Sequence, residues 1–195
     1  VIWDAHPLNC GRPGSIGDRA GNFTVQNADL LLILGSRLNI RQVSYNWQSF
    51  AREAYKIWVD IDAEELKKPS VKADMPVHAS LSDLLPLLAH SDCGGPTRAH
   101  KSWLEWCRTR VERYPIVLPE YWRKPEINPY CFMQSLFERL EEDQIIVTGN
   151  GSACVISFQA AKLKKGQRLW TNSGCASMGY DCLLYTSRAH ETRED

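Results

Sequence analysis

The sequence predicts an α/β protein built on parallel, Rossmann-like sheet. Three observations carry this. Two continuous apolar runs, ADLLLILGS and AYKIWVDID, stand early in the chain and end in small or acidic residues. Segments with helix-forming character separate and follow them. The same alternation returns in the last third, where an apolar run, QIIVTG, is flanked by two helical stretches. Runs apolar on both faces suit strands inside a parallel sheet, whose crossover helices cover both sides, and strands alternating with helices are the pattern of βαβ construction.

Taken in order, residues 28–36 and 54–62 are expected as buried strands, with NWQSFAREA supplying a short helix between them. AEELKKP opens another helix, which Pro69 limits because proline lacks the N–H that a helix interior needs. MPVHASLSDLLPLLAH reads as a short strand, a serine turn and a helix with Ser82 or Asp83 near its N-terminus. Gly94, Gly95 and Pro96 then punctuate the chain. RAHKSWLEWCRTRVERY has helical spacing, with Trp103, Trp106, Cys107 and Val111 on one side. PIVLPEYWRKPEINP holds four prolines in 15 residues, which neither a helix nor a central strand accepts, so it is expected as an extended connector. A second α/β unit opens at NPYCFMQSLFERLEED, with Asn128 as N-cap and Pro129 at the first helical position. The strand QIIVTG and the helix ACVISFQAAKLKKG follow.

Composition narrows the function. The chain has 195 residues, 44% of them hydrophobic, enough for a sizeable buried core. Lys plus Arg and Asp plus Glu balance at 23 each, so no overall field draws in nucleic acid or an anionic membrane, and neither partner is expected. No run approaches the roughly 18 apolar residues of a membrane-spanning helix. The seven cysteines are scattered, odd in number and without a C-x-x-C pair, which argues against a disulfide framework or zinc knuckle and fits a reducing cytoplasm. The opening VIWDAHPLNCGRPG lacks a charged leader, a long apolar run and an initiator Met; it is expected to be no signal peptide and to be cut from something longer.

Candidate binding groups cluster at strand ends. Glycines 11, 14, 17 and 21 precede the first strand, and Gly35, Ser36 and Arg37 follow it, where open α/β sheets place ligands and small residues let backbone N–H groups approach phosphates. Tight turns would use the same glycines. Asp60 or Asp62 stands where a ribose-binding carboxylate is found, a position that a capping Asp also occupies. Arg37 and Arg41 could fork onto phosphates or remain a solvated pair. In VTGNGSACV, the N–H groups of Gly151, Ser152 and Ala153 at a helix start would make an anion cradle, without the Gly-Lys-Ser/Thr of a triphosphate-binding loop. Cys175 lacks a local His partner, and the five histidines show no zinc spacing.

Read together, these motifs resemble the thiamine diphosphate enzymes of the acetolactate synthase type. The resemblance runs from about Gly11 to Asp181. GRPGSIGDRAGNFTVQNADLLLILGSRLNIR is similar to the family's central domain, VDIDAEELKK to the segment that follows it, and VTGNGSACV and TNSGCASMGYD to the first two cofactor segments of the C-terminal domain. The resemblance implies residues 1–90 as the central domain, 91–127 as helix and connector, and 128–181 as the start of an incomplete thiamine diphosphate-binding domain. For the central domain it implies an FAD- or ADP-type pocket, or an empty one, at Gly14, Ser15, Ile16, Gly35, Ser36, Arg37, Arg41, Asp60, Ile61 and Asp62. This chain has Ile16-Gly17 where the family has His-Gly, and Asn39 where it has an acid.

For thiamine diphosphate the resemblance implies Asn150, Gly151, Ser152 and Ala153 along the diphosphate. The Ala176 carbonyl and Met178 N–H would meet the aminopyrimidine, with the Met178 side chain wedged under the cofactor. It implies a 2-oxo acid substrate, a homodimer or homotetramer, and Mg²⁺ held by a Gly-Asp-Gly…Asn-Asn segment outside these residues; the activating glutamate also lies outside, so no catalytic residue is expected within the chain and it should be inactive alone. GNGS precedes the Met loop and offers a neutral Asn150 where the ion needs a carboxylate, so it is no magnesium site. The alternative is a free-standing nucleotide-binding module that senses or scaffolds. Finally, where the family runs on into a Leu-Pro-Ala-Ala-Ile-Gly-Ala helix, residues 182–195 read as a non-native tail expected to be disordered.

Overall fold

The computed structural model describes residues 3–92 and 94–191. The chain divides into two compact units, one formed by residues 10–113 and the other by the stretches on either side, described over 3–9 and 114–191.

In the first unit, α1 (Arg19–Gln26) leads into β1 (Leu30–Leu34), the short α2 (Ile40–Val43) and β2 (Tyr55–Asp60); β3 (Met75–His78), α3 (Leu81–His90) and α4 (Arg98–Arg113) follow. The strands form a parallel sheet in the order β1-β2-β3, with Leu34 beside Val59 and Val59 beside Val77. Alternate residues of a strand face opposite sides. Ile33 and Trp58 lie on one side and pack with Leu38, Val43, Phe50, Ala51, Ala54 and Val71, the unit's core.

The two apolar runs are strands, but not buried throughout. Only Ile33 of β1 is buried, while Leu30, Leu32, Tyr55 and Met75, which share the other side of the sheet, are about half exposed. NWQSFAREA yields a single 3-10 turn, Trp47–Ser49, rather than an α-helix, because the chain must reverse there to bring Phe50, Ala51 and Ala54 into the core. AEELKKP likewise gives only the 3-10 turn Glu65–Lys67. The N-cap of α3 is Ser80, whose hydroxyl accepts from the Ser82 N–H. In α4, Cys107 is buried and Trp103 stacks on Trp106 with ring centroids 5.0 Å apart, but Val111 is exposed. This helix packs on α1.

α1 starts within the glycine run, at whose end Gly21 stands. Asp18 caps it, accepting from the Gly21 N–H at 2.6 Å and reaching back to the Arg12 N–H at the same distance. Gly21 is required there because a Cβ would sit 2.6 Å from the Arg12 backbone.

In the second unit, a 3-10 turn, Pro119–Arg123, interrupts the connector before α5 (Pro129–Arg139), β4 (Ile145–Thr148), α6 (Gly151–Ala160), β5 (Arg168–Thr171) and α7 (Tyr180–Glu191). Asn128 caps α5 as its sequence predicts, accepting from the Tyr130 N–H at 2.9 Å. β4 and β5 pair in parallel, Thr148 beside Thr171. Phe137, Ala161 and Leu163 form the buried centre, with Ile146 and Leu169 from the strands against it. The Lys164 ammonium caps the end of α5 by donating to the carbonyls of Glu138 and Leu140. Asp4 pairs with Leu163 through two hydrogen bonds, N–H to carbonyl at 3.0 Å and Leu163 N–H to carboxylate at 2.5 Å.

Residues 182–191, expected without order, instead continue the helix that starts at Tyr180. The reason is local: Asp181 complements the positive end of the helix, and Leu183 and Leu184 are good helix formers. Residues 182–187 are exposed, and 192–195 lie outside the described residues. No helix among the described residues is long and apolar enough to cross a membrane.

Candidate functional site

Each unit presents a constellation beyond the carboxyl ends of its strands. In the first, β1 is followed by Gly35, which takes a left-handed φ of 59° and donates its N–H to the Val59 carbonyl. Ser36 is held from below: the indole N–H of the fully buried Trp58 donates to its carbonyl at 3.0 Å. Arg37 reaches 28 residues along the chain to Glu65, its Nε donating at 2.8 Å and its Nη2 contacting the same oxygen. Lys68 joins them, 3.0 Å from the other Glu65 oxygen and 5.0 Å from the centre of the Trp58 ring. The Arg37 and Lys68 donors hold the Glu65 carboxyl below its usual range, and the same contact raises the Arg37 guanidinium.

The glycine loop closes on α2. Ser15 donates both its N–H, at 2.6 Å, and its hydroxyl, at 3.1 Å, to the Arg41 carbonyl. Gly14 exchanges two hydrogen bonds with the Asn22 carboxamide. Gly14 has a φ of 127°, and a Cβ there would lie 2.6 Å from the Arg41 carbonyl oxygen. Ile16 is half-buried beside them.

At the end of β2, the Asp60 carboxylate is buried and accepts from the Asp62 N–H at 2.9 Å; Asp62 in turn accepts from Glu64 at 2.9 Å. Ile61 between them is exposed, and its carbonyl meets His78 Nε2 at 2.9 Å. The structure therefore brings Gly35–Arg37 beside Asp60–Asp62 at one sheet edge. Within that edge, Arg37 is paired with Glu65, the Gly14 and Ser15 amides are satisfied internally, and both acids cap turns.

In the second unit, the turns after β4 and β5 meet. Asn150 occupies the N-cap position of α6 but makes no capping bond with its side chain. Its amide donates instead to the Ala176 carbonyl at 2.6 Å, across 26 residues. The N–H groups that open an α-helix lack intrahelical partners and attract anions; here they belong to a first turn in which Gly151, Ser152 and Ala153 are exposed. Gly151 has a φ of 61° with no atom within 4 Å of a Cβ built on it. An uncapped helix start beside open space fits a diphosphate.

Opposite it, the turn from Ser173 to Gly179 is held by side-chain amides. Asn172 donates to the Ser177 carbonyl at 2.8 Å and to its hydroxyl at 3.1 Å. Ala176 adopts a left-handed φ of 51° and Gly179 one of 86°, and Met178 is 88% exposed. Asp181, at the start of α7, places its carboxylate against Gly149, where a Cβ would lie 2.8 Å from it. Thus Asn150, Gly151, Ser152, Ala153, Ala176 and Met178 all fall in one region. Asn172 was not singled out in the sequence, because its role depends on β5, a short strand of mixed polarity that no periodicity marks. Among the described residues no group of three or more His, Cys, Asp or Glu is placed to hold a metal ion.

Residues 1–88 match the family described as "Thiamine pyrophosphate enzyme, central domain". The chain is 28% identical over 183 residues to the acetolactate synthase isozyme 1 large subunit of Escherichia coli, covering 92% of this chain and 31% of that protein. It is 32% identical over 184 residues to an acetolactate synthase of Mycobacterium bovis, covering 91% and 29%. To a probable acetolactate synthase large subunit of Methanocaldococcus jannaschii it is 29% identical over 181 residues, covering 90% and 30%. The chain thus spans about three-tenths of the length of these relatives. Residues 1–88 thus match a thiamine pyrophosphate enzyme central domain, and over about nine-tenths of its length the chain is a homologue of acetolactate synthase large subunits.

Proposed function

We propose that the chain is part of a thiamine diphosphate-dependent enzyme that decarboxylates a 2-oxo acid and forms or cleaves a carbon–carbon bond. The observation that carries this is the Asn150–Ala176 hydrogen bond. It joins two segments, each similar to a cofactor segment of the family, at the carboxyl ends of paired parallel strands, where α/β sheets bind ligands.

The N–H groups at the start of α6 receive the diphosphate, with Gly151 giving it room. The Ala176 carbonyl keeps a second lone pair beyond the one Asn150 uses, which accepts from the amino group of the pyrimidine. The Met178 N–H donates to a pyrimidine ring nitrogen, and its side chain, soft and unbranched, supports the cofactor from below. When bound, the cofactor supplies the carbanion stabilisation that decarboxylation of a 2-oxo acid needs. Mg²⁺ and the activating carboxylate come from outside these residues, so the chain alone is inactive. The active form is a cytoplasmic homodimer or homotetramer. The first unit carries the FAD- or ADP-type pocket at Gly14–Ile16, Gly35–Arg37, Arg41 and Asp60–Asp62 in a structural role.

Calorimetry on the chain with thiamine diphosphate and Mg²⁺, FAD and ADP tests this. The expected result is saturable thiamine diphosphate binding, lost in Gly151→Val. Saturable ADP binding with none of thiamine diphosphate would overturn it in favour of a nucleotide-binding sensing or scaffold module.

A further inference from the structure

We propose that Asn172 is a positioning residue that aims the Met178 N–H at the cofactor; this rests on the role given to Met178 above. The argument starts from the peptide group. The Ser177 carbonyl and the Met178 N–H belong to one planar trans unit, in which they point in opposite directions. Whatever grips the carbonyl therefore sets the direction of the N–H. Asn172 grips it at 2.8 Å and spends its second donor on the Ser177 hydroxyl at 3.1 Å. A carboxamide has two N–H donors, so Asn172 commits its donors to one residue and fixes both the peptide plane and the side chain next to it.

The neighbouring peptide is held the same way. The Ala176 carbonyl is fixed by Asn150 at 2.6 Å, across the turn from Asn172. The tip of this loop is open to solvent. Met178 is 88% exposed, Cys175 is exposed, and a Cβ at Gly174 or Gly179 would touch nothing within 4 Å. Ala176 also sits at a left-handed φ that a non-glycine residue adopts only under constraint. Two carboxamides, one from each strand end, hold the peptides on either side of Ser177 in this exposed turn. Such preorganisation removes the ordering cost that a mobile loop would charge against binding.

The test uses Asn172→Asp, nearly the same shape but with an oxygen facing the Ser177 carbonyl. Amide hydrogen exchange is followed by mass spectrometry on the whole chain, and calorimetry compares thiamine diphosphate with inorganic pyrophosphate, each with Mg²⁺. We expect at least tenfold faster exchange at residues 175–179, unchanged exchange in α5 and α6, at least tenfold weaker thiamine diphosphate binding, and pyrophosphate affinity within twofold of the original. A residue that merely stabilised the fold would weaken both ligands alike. Unchanged loop exchange, or equal loss of both ligands, overturns the proposal. Should Asn172→Asp lower the melting temperature of the unit as a whole, Ser177→Ala, which removes only the hydroxyl acceptor, carries the test with a severalfold change of the same pattern. Fast loop exchange in a protein whose unaltered form binds no thiamine diphosphate supports the clamp and counts against the function proposed above.

Discussion

Replacing Trp58 with Phe removes the link between the core of the first unit and the loop after β1. Trp58 is completely buried, and its indole N–H donates to the Ser36 carbonyl at 3.0 Å. Phenylalanine leaves that carbonyl without its donor, at about 1–3 kcal/mol. The smaller ring leaves a void of about 40 Å³, which at about 24 cal/mol per Å³ adds about 1 kcal/mol. The Lys68 ammonium, 5.0 Å from the ring centre, loses its best aromatic partner, worth about 0.5–1 kcal/mol. The total is about 2.5–5 kcal/mol. With a urea dependence of about 2 kcal/mol per molar, the unfolding midpoint of this unit should fall by roughly 1.3–2.5 M. Far-UV circular dichroism follows the transition, with Trp122→Phe, an exposed position, as a control expected to change stability by under about 0.5 kcal/mol. A midpoint shift for Trp58→Phe no larger than that of the control would refute the reasoning.

Gly14→Ala should destabilise the first unit by about 2 kcal/mol or more, since it combines a φ of 127° with a Cβ 2.6 Å from the Arg41 carbonyl; urea unfolding measures it. Burial, with the Cys107 thiol beside it, pushes the Cys10 thiol up from its ordinary 9.0 to about 11. Its neutral form is thus favoured by folding, so the associated stability is present below pH 9 and lost as pH rises toward about 11; Cys10→Ser should flatten that part of the stability profile. Glu65 behaves oppositely. Its depressed folded pKa gives stability that is present above its ordinary 4.5 and lost as pH falls through the lower folded value, a dependence that Glu65→Gln should remove in acid titrations of the urea midpoint. A thiol-reactive chromophore should label Cys175 and Cys182, both exposed, well before the buried Cys107, Cys131 and Cys154, as peptide mapping would report.

What the sequence revealed follows from which interactions are local. The apolar runs at β1, β2 and β4 and the Asn128–Pro129 start of α5 declare themselves because a strand run and an N-cap are short-range patterns. α1 is hidden, since the glycines leading up to and into it suggest only turns, and its cap depends on Asp18 folding back to Arg12. The segment 46–54 has helical composition but yields a 3-10 turn, because packing of Phe50, Ala51 and Ala54 overrides propensity. The strand runs predicted full burial, whereas β1 is covered on one side only, a property of its neighbours and not of its residues. At the candidate site, the glycine and serine turns could be read from motif order. The pairing of Arg37 with Glu65, and of Asn150 with Ala176, joins groups too far apart for any spacing rule.

The pairing of Asp4 with Leu163 carries its own consequence. The second unit is discontinuous in sequence, and residues 10–113 interrupt it along the chain. During synthesis the inserted unit can close as soon as α4 has emerged, while the residues that precede it wait about 50 more for their partner, Leu163. A single protease cut cannot separate the two units; release requires one break near Asn9 and another near Tyr114. A nick in only one of these places should leave a molecule that still migrates as one species until it is denatured.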